Sequence, residues 1–183
     1  MIYNQNNLDV CKITSQYYDR VLFTKNKTVA TDAVRLIEIT TPSSFDIADF
    51  PGQTVKDFEP FCVVADSLSN VKAPKKHNLP ICNNVAIEKI EDLSVTFQSV
   101  NGSNNVHKSE VDFPEYEKLF PDVEPMAEVK VNGKLLSEIL VMLAKLDKNK
   151  FVTLKLYGKN KSIILEAGNS EQQGRALVMP INQ

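Results

Sequence analysis

The stretch at 111–146, VDFPEYEKLFPDVEPMAEVKVNGKLLSEILVMLAKL, carries the strongest structural signal of the sequence. Its last part predicts a helix over 133–147, because apolar residues recur there every three or four positions. These residues are Leu135, Leu136, Ile139, Leu140, Leu143 and Leu146. Asn132 precedes them and can accept hydrogen bonds from the first free backbone N–H groups of the helix. Residues 127–131 alternate between apolar and charged side chains, which predicts a strand leading into the helix.

The order of elements in this stretch recurs elsewhere along the chain. Three strands are predicted after the helix, at 151–157, 162–166 and 175–181. Earlier strand-like runs lie at 20–24, 28–32, 34–40, 61–64, 84–89, 93–97 and 106–111. The order of strand, helix and three strands thus occurs about three times, which predicts an α+β fold of repeated units at 1–60, 61–124 and 125–183.

The first two of these units carry weaker helix signals than the third. In the second unit, Asp66 or Ser67 can cap a brief helix after the strand at 61–64. In the first unit no helix is recognisable, since residues 8–14 fit a short strand as well as half a helix. Residues 1–7 are polar and have weak preferences, so we expect them to be frayed.

Composition and charge exclude several classes of protein. The chain has 183 residues, of which 43% are apolar and 24% charged, and this is ordinary for a folded protein. The formal net charge of −2 argues against coating nucleic acid with the whole surface, but it leaves room for one basic face. Three distant cysteines form no disulfide framework or zinc motif, and no signal peptide or membrane span is evident. We therefore expect a cytoplasmic protein without a membrane anchor.

The sequence contains no set of residues arranged for catalysis. His77 and His107 lie in polar turns without a cysteine or carboxylate at ligand spacing, so we interpret both as solvated surface side chains. No glycine-rich phosphate loop or nucleophile elbow is present. Acidic residues near 115–124 flank prolines, and solvation explains them better than a magnesium site. The prediction is a protein that is not an enzyme and that uses no metal or cofactor.

Two surface features suit binding, and each has a plainer interpretation. Six lysines lie near the predicted helices, and they could neutralise DNA phosphates without reading bases or simply form solvated faces. They are Lys72, Lys75, Lys76, Lys134, Lys145 and Lys148. The apolar segment at 177–181 could line a binding surface, or it could be a terminal strand packed into a sheet.

Three motifs resemble those of the bacterial DNA polymerase III beta sliding clamp family. The segment FPEYEKLFP at 113–121 resembles the family's Phe-Pro-Asp-Tyr…Pro segment. VATDAVRL at 29–36 is similar to its Val-Ala-Thr-Asp-Gly-His-Arg-Leu, with Ala33-Val34 in place of Gly-His. ALVMPI at 176–181 resembles its Val-Val-Met-Pro-Met end. The motifs follow the order that the family has, with the expected elements between them.

This resemblance implies a sliding-clamp fold, in which antiparallel sheets carry helices on one face and the helices line a positively charged hole. It implies a processivity factor that binds duplex DNA without sequence specificity, forms a homo-oligomer and captures peptides of DNA polymerases and the clamp loader. Carried over by position, the peptide pocket would consist of Thr31, Val34, Arg35, Leu36, Pro121, Leu177, Val178, Met179, Pro180 and Ile181. Such a groove offers apolar side chains and one arginine, which suits a short linear peptide.

A family member has twice as many repeats as this chain, which predicts a shortened or divergent clamp. It could close a ring from more subunits. Alternatively, it could be an interaction module that binds peptides or regulates a host replisome without encircling DNA. The oligomeric state separates these two hypotheses most directly.

Overall fold

A computed structural model describes residues 1–158 and 161–181 of the chain, and its contacts fall into two units. Unit 1 comprises Met1–Lys118 and unit 2 comprises Leu119–Gln183. No helix in the described ranges is long and apolar enough to span a membrane. The two units do not correspond to the three predicted repeats. The predicted repeat boundaries after residues 60 and 124 therefore stay a prediction.

Unit 1 consists of eight strands and two short helices. The helices are α1 (Gln5–Asp9), which continues into a 3-10 turn at Val10–Ile13, and α2 (Ala65–Leu68). The strands are β1 (Ile2–Tyr3), β2 (Arg20–Phe23), β3 (Lys27–Thr31), β4 (Leu36–Thr40), β5 (Phe61–Val64), β6 (Val85–Ile90), β7 (Ser94–Ser99) and β8 (Gly102–His107). Helix α1 corrects the prediction that the first repeat lacks a helix.

The strands of unit 1 form two antiparallel sheets that exchange one strand each. The sheet orders are β1-β6-β7-β8 and β4-β3-β2-β5. Along the chain, unit 1 therefore contains the predicted order of strand, helix and three strands twice. The first strand of each repeat joins the sheet of the other repeat: β1 pairs with β6 and β5 pairs with β2. This exchange fastens the two repeats into one unit.

An aromatic cluster forms the centre of the unit 1 core. Phe23 is fully buried, and its ring centroid lies 5.0 Å from that of Tyr3, 5.2 Å from Phe97 and 5.7 Å from Phe61. These four residues come from β1, β2, β5 and β7, so the cluster links both sheets. Burial of these aromatic side chains from both repeats contributes to the hydrophobic stability of unit 1, together with the aliphatic residues of the same core.

The prediction of a frayed segment at 1–7 is wrong. Ile2 and Tyr3 are buried, and the Tyr3 hydroxyl donates to the carbonyl of Thr24 at 3.0 Å. The Asn7 side chain is also buried and donates to the carbonyls of Ile39 at 2.9 Å and Thr40 at 3.1 Å. Tertiary contacts order this segment despite its weak local preferences, because they bury its apolar side chains and provide hydrogen bonds for its polar side chains.

Two other elements of unit 1 differ from their predictions. Strand β8 begins at Gly102 rather than at residue 106, because Gly102 itself closes the hairpin with φ +128°, a conformation that favours glycine. Helix α2 ends at Leu68, and neither Asp66 nor Ser67 is its cap, since Val64 holds the N-cap position without a side-chain bond. Propensity alone does not position such a short helix.

Unit 2 consists of one helix on a three-stranded antiparallel sheet. Its elements are α3 (Gly133–Leu143), β9 (Thr153–Lys155), β10 (Ile163–Gly168) and β11 (Gln173–Val178), with the sheet order β11-β10-β9. Asn132 caps α3 as predicted, because its Oδ1 accepts from the backbone N–H groups of Lys134 and Leu135. Gly174 allows β11 to lie close to the end of α3, since a Cβ there would overlap the side chains of Leu143 and Leu146.

Helix α3 is shorter than predicted and uses a narrower apolar face. It ends at Leu143 rather than at residue 147, because the chain continues in tighter turns such as the bond from Leu146 N–H to the Leu143 carbonyl. Leu143 is buried, and Leu136, Ile139, Leu140 and Leu146 pack around it. Leu135, predicted on this face, is half exposed. Residues 127–131 belong to no strand, which contradicts the predicted strand.

We expect Leu140→Ala to lower the free energy of unfolding of unit 2 by about 2 kcal/mol. The value lies at the lower end of the range for leucine truncation, because Leu140 is only partly buried against the core of unit 2. Chemical denaturation followed by circular dichroism measures it. Val141→Ala is the control, since the neighbouring Val141 is exposed. An equal loss of unfolding free energy in the two variants would show that α3 packs on the sheet through a different face.

Candidate functional site

The predicted pocket residues of unit 1 lie on the tight turn between β3 and β4. Oγ1 of Thr31 donates to the carbonyl of Arg35 at 2.8 Å, and Ala33, with φ +75°, occupies the left-handed region. Oδ1 of Asp32 accepts from the backbone N–H groups of Val34 at 3.0 Å and Arg35 at 2.6 Å. These bonds fix the turn and present Val34, which is 91% exposed, at its tip. Leu36 begins β4 and is half-buried.

Arg35 is engaged by Asp32 within the same turn. Its guanidinium lies 2.7 Å from Oδ2 of Asp32. The Arg35 backbone N–H, and then the Arg35 side chain, lower the pKa of Asp32 to about 2. Because the folded pKa lies below the unfolded one, this stabilisation is present above pH 4 or so and is lost as pH falls through about 2. A ligand carboxylate would have to compete with Asp32 for the arginine.

The predicted pocket residues of unit 2 alternate between core and surface. Val178 at the end of β11 is buried, whereas Leu177, Met179 and Ile181 are exposed. The backbone N–H of Ile181 donates to the carbonyl of Lys130 at 2.8 Å, which anchors the segment beyond β11. The interpretation as a terminal strand packed into a sheet holds for Val178, and the binding surface at its exposed neighbours stays a prediction. Pro180 is half-buried and Pro121 is exposed.

The six predicted DNA-facing lysines are all exposed. In the described part of the chain none of them forms an ion pair. Lys134 lies in the first turn of α3, nine residues before the buried Leu143, and Lys145 follows the end of the helix. Lys148 lies beyond the end of α3. In unit 1, Lys72, Lys75 and Lys76 follow α2 in a loop.

A groove in unit 1 was not predicted from the sequence. It has a volume of about 810 Å³ and lies between strands β2 and β5 and the segment 108–118. Tyr116 is buried beside it, and the ammonium of Lys27 lies 5.2 Å from the Tyr116 ring centroid. Contact with Tyr116, followed by the bond to Glu38 at 3.0 Å, raises the pKa of Lys27. The motif at 113–121 singled out Tyr116, but no sequence signal pointed to Lys27.

The two histidines are surface side chains, as predicted. His77 and His107 are both exposed, and Nδ1 of His77 accepts from the backbone N–H of Leu79 at 3.1 Å. In the described residues, no three His, Cys, Asp or Glu side chains are grouped so that they could hold a metal ion.

Comparison with known proteins finds similarity to solved structures only. No family model matches the sequence, and no curated protein matches it. Among solved structures, the DNA polymerase III beta chain of Streptococcus pneumoniae TIGR4 is similar to the whole chain, with 18% identity and a TM-score of 0.66. The beta subunit of Streptococcus pyogenes DNA polymerase also covers 100% of the chain, with 16% identity and a TM-score of 0.66.

A third similar structure is the DNA polymerase sliding clamp of Pseudomonas aeruginosa with ligand, which covers 98% of the chain at 16% identity and a TM-score of 0.65. The alignments cover 49% of the S. pneumoniae chain and 50% of each of the other two, so this chain spans about half the length of the clamps that it matches. At such low identity the similarity concerns the fold. Together with the repeats of strand, helix and three strands, it establishes that this chain has the fold of the bacterial DNA polymerase III beta sliding clamps, as its three motifs predicted.

Proposed function

We propose that the chain is a sliding-clamp-like processivity factor that binds duplex DNA without sequence specificity and is not an enzyme. The observation that carries the proposal is the similarity of the whole chain to solved sliding clamps. The exposed lysines near α2 and α3 support it, because lysines without an acidic partner can neutralise phosphates whatever the base sequence. The partners would be duplex DNA, peptides of a DNA polymerase and of the clamp loader, and further copies of the chain.

Changing Lys134, Lys145 and Lys148 together to Gln should weaken binding to a labelled DNA duplex at least about tenfold at low salt. Fewer counterions are released when fewer phosphates are neutralised. The slope of log affinity against log salt concentration should therefore become less steep, by up to about three. Fluorescence anisotropy across a salt series measures both quantities. Stability should be unchanged, because all three side chains are exposed.

The matched control changes Lys25, Lys89 and Lys118 to Gln. These lysines are also exposed, but each forms an ion pair, with Asp57, Glu91 and Glu115 respectively. The control alters the net charge by the same amount, so it separates a local phosphate contact from a general charge effect. An equal loss of DNA affinity in both triple variants would show that α3 is not part of the DNA-binding surface.

Encirclement is tested separately from affinity. A protein that surrounds DNA is retained on a nicked circular plasmid and released when the plasmid is cut once. The alternative is an interaction module that never encircles DNA, and the observation that supports it is that the chain spans about half the length of the solved clamps it matches. Equal release from circular and linear DNA would support that module.

We further propose that two exposed apolar surfaces contact short peptides. One is the turn that carries Val34 in unit 1, and the other is the end of unit 2 that carries Leu177, Met179 and Ile181. Each surface can bury a leucine or phenylalanine side chain, and each fully buried anchor is worth roughly 1.5–3 kcal/mol before ordering costs. The tightly fixed turn at 31–36 presents Val34 without a large loss of backbone entropy.

Met179→Glu should weaken the binding of a labelled peptide with a Leu-Phe pair about tenfold, because a charged group would face an apolar anchor. Fluorescence titration gives the affinity, and the melting curve should not move, since Met179 is 65% exposed. Leu93→Glu, at another exposed apolar position, is the control. Unchanged affinity in the Met179 variant would contradict the assignment of the unit 2 surface.

A further inference from the structure

One face of the sheet β4-β3-β2-β5 lies away from the unit 1 core. Side chains alternate between the two faces of a strand, and Val21 and Val63 belong to the core. Cys62, Leu22 and Val29 are paired across neighbouring strands and form a row on the opposite face. Val29 is nevertheless fully buried and Cys62 is 7% exposed, so another part of the chain covers this row.

The cover is the segment 109–118, which we call the strap. It leaves the edge of β5 at Ser109, whose backbone N–H donates to the Cys62 carbonyl at 2.9 Å. The rings of Phe113 and Tyr116 meet edge to face, 5.6 Å apart between centroids, and both residues line the groove together with Cys62. Burial raises the pKa of the Cys62 thiol to about 11, and the backbone N–H of Phe113 is among the groups that oppose this shift. The strap backbone therefore lies beside the thiol.

Tyr116 holds the strap on the sheet. It is 6% exposed, and the ammonium of Lys27 lies 5.2 Å from its ring centroid. The same ammonium lies 3.0 Å from Glu38 and 3.7 Å from Glu117, so it joins β3, β4 and the strap. In contrast, residues 110–112 are exposed and, among the described residues, form no backbone–backbone hydrogen bond. Segments held by so few contacts are the ones that open without unfolding of the whole domain.

We propose that the strap opens locally while the rest of unit 1 stays folded, and that the contact of Tyr116 with Lys27 keeps it closed. Opening exposes Cys62 and the apolar side chains beside it. It also frees residues 110–118, which reach about 30 Å when extended. The strap therefore covers an apolar surface of unit 1 and stores chain length before Leu119, the first residue of unit 2. This role of the motif that carries Tyr116 depends on neither DNA nor peptide binding.

A second covered cysteine in unit 1 serves as an internal reference. Cys82 is 1% exposed and packs with Phe50 in a small cluster of its own, formed with the loop that precedes β5. That loop contains a 3-10 turn at Ile47–Asp49 and a backbone hydrogen bond of 2.8 Å from the N–H of Val55 to the carbonyl of Ile87. Because this loop and the strap are separate segments, local opening of the strap should leave Cys82 covered, whereas unfolding of unit 1 exposes both thiols.

The experiment measures how fast N-ethylmaleimide modifies each thiol of the folded full chain, with peptide mass spectrometry to separate Cys62 from Cys82. Tyr116→Ala should raise the rate at Cys62 at least about tenfold, because the buried ring stabilises only the closed strap. The rate at Cys82 should change less than about twofold. Lys27→Met should raise the rate at Cys62 about threefold, since it keeps the length of the side chain but removes the cation from the ring.

Two matched variants separate the strap from general destabilisation. Phe50→Ala removes a buried ring from the other covering segment, so it should accelerate the modification of Cys82 and leave that of Cys62 unchanged. Lys25→Met removes a lysine of the β2–β3 hairpin that pairs with Asp57, and it should change neither rate.

Faster modification of Cys62 alone, in both Tyr116→Ala and Lys27→Met, would support the inference. Equal acceleration of Cys62 and Cys82 in Tyr116→Ala would overturn it, because Tyr116 would then belong to the cooperative core of unit 1. An unchanged Cys62 rate in both variants would also overturn it, since the strap would not be what protects the thiol. A melting curve identifies a variant that fails to fold. If Tyr116→Ala fails, Lys27→Met decides on its own by the same comparison of the two thiols.

Discussion

Phe23→Ala is expected to lower the free energy of unfolding of unit 1 by about 3–5 kcal/mol, the range for truncating a buried phenylalanine. Phe23 is fully buried, and its ring contacts aromatic rings from three other strands, which include both sheets. The substitution would leave a cavity that neighbouring side chains cannot fill, since close-packed cores relax only partly. A loss of this size is a large fraction of the stability of a typical domain.

Urea denaturation monitored by circular dichroism measures this loss. Tyr17→Ala removes an aromatic ring that is 84% exposed, so it should change stability little and serves as the control. Phe23→Leu should recover much of the loss, because it keeps an apolar side chain of intermediate volume. If Phe23→Ala cost less than about 1 kcal/mol, the aromatic cluster would not be the centre of the core.

Asn7→Ala is expected to destabilise unit 1 by about 3 kcal/mol. The Asn7 side-chain amide is buried and donates to the carbonyls of Ile39 and Thr40, at the end of β4. It also donates to Oγ1 of Thr28 at 3.3 Å. Removing the amide deprives the part-buried Ile39 and Thr40 carbonyls and the buried Thr28 hydroxyl of a donor, and a buried group left without its partner costs about 1–3 kcal/mol.

The same denaturation assay tests this prediction. Asn6→Ala, at the exposed neighbouring position of the same helix, is the matched control. Asn7→Asp keeps the shape of the side chain but replaces the donor by an acceptor, so it should be at least as harmful as alanine. A neutral Asn7→Ala variant would mean that water satisfies the carbonyls of β4 when the amide is removed.

Some parts of the structure followed from the sequence because short-range patterns encode them. The alternation in 20–40 determined strands β2, β3 and β4, whose partners are close in sequence and need only tight turns. Helix α3 and its cap Asn132 followed from apolar spacing and from one side-chain acceptor. The order of these elements, with three motifs, predicted the clamp fold. The exposed lysines followed from their positions near the helices.

Other features were decided only by tertiary structure, because their partners are far away in sequence. The pairing of β1 with β6 joins residues more than eighty positions apart, so nothing within 1–7 indicates that this segment is buried. The segment 127–131 alternates like a strand, yet a strand exists only where a neighbour supplies hydrogen bonds. Leu135 fits the apolar spacing of α3 and is still half exposed, because the sheet of unit 2 covers one side of the helix. Local patterns determine which elements form, whereas long-range contacts determine which of their faces and edges are covered.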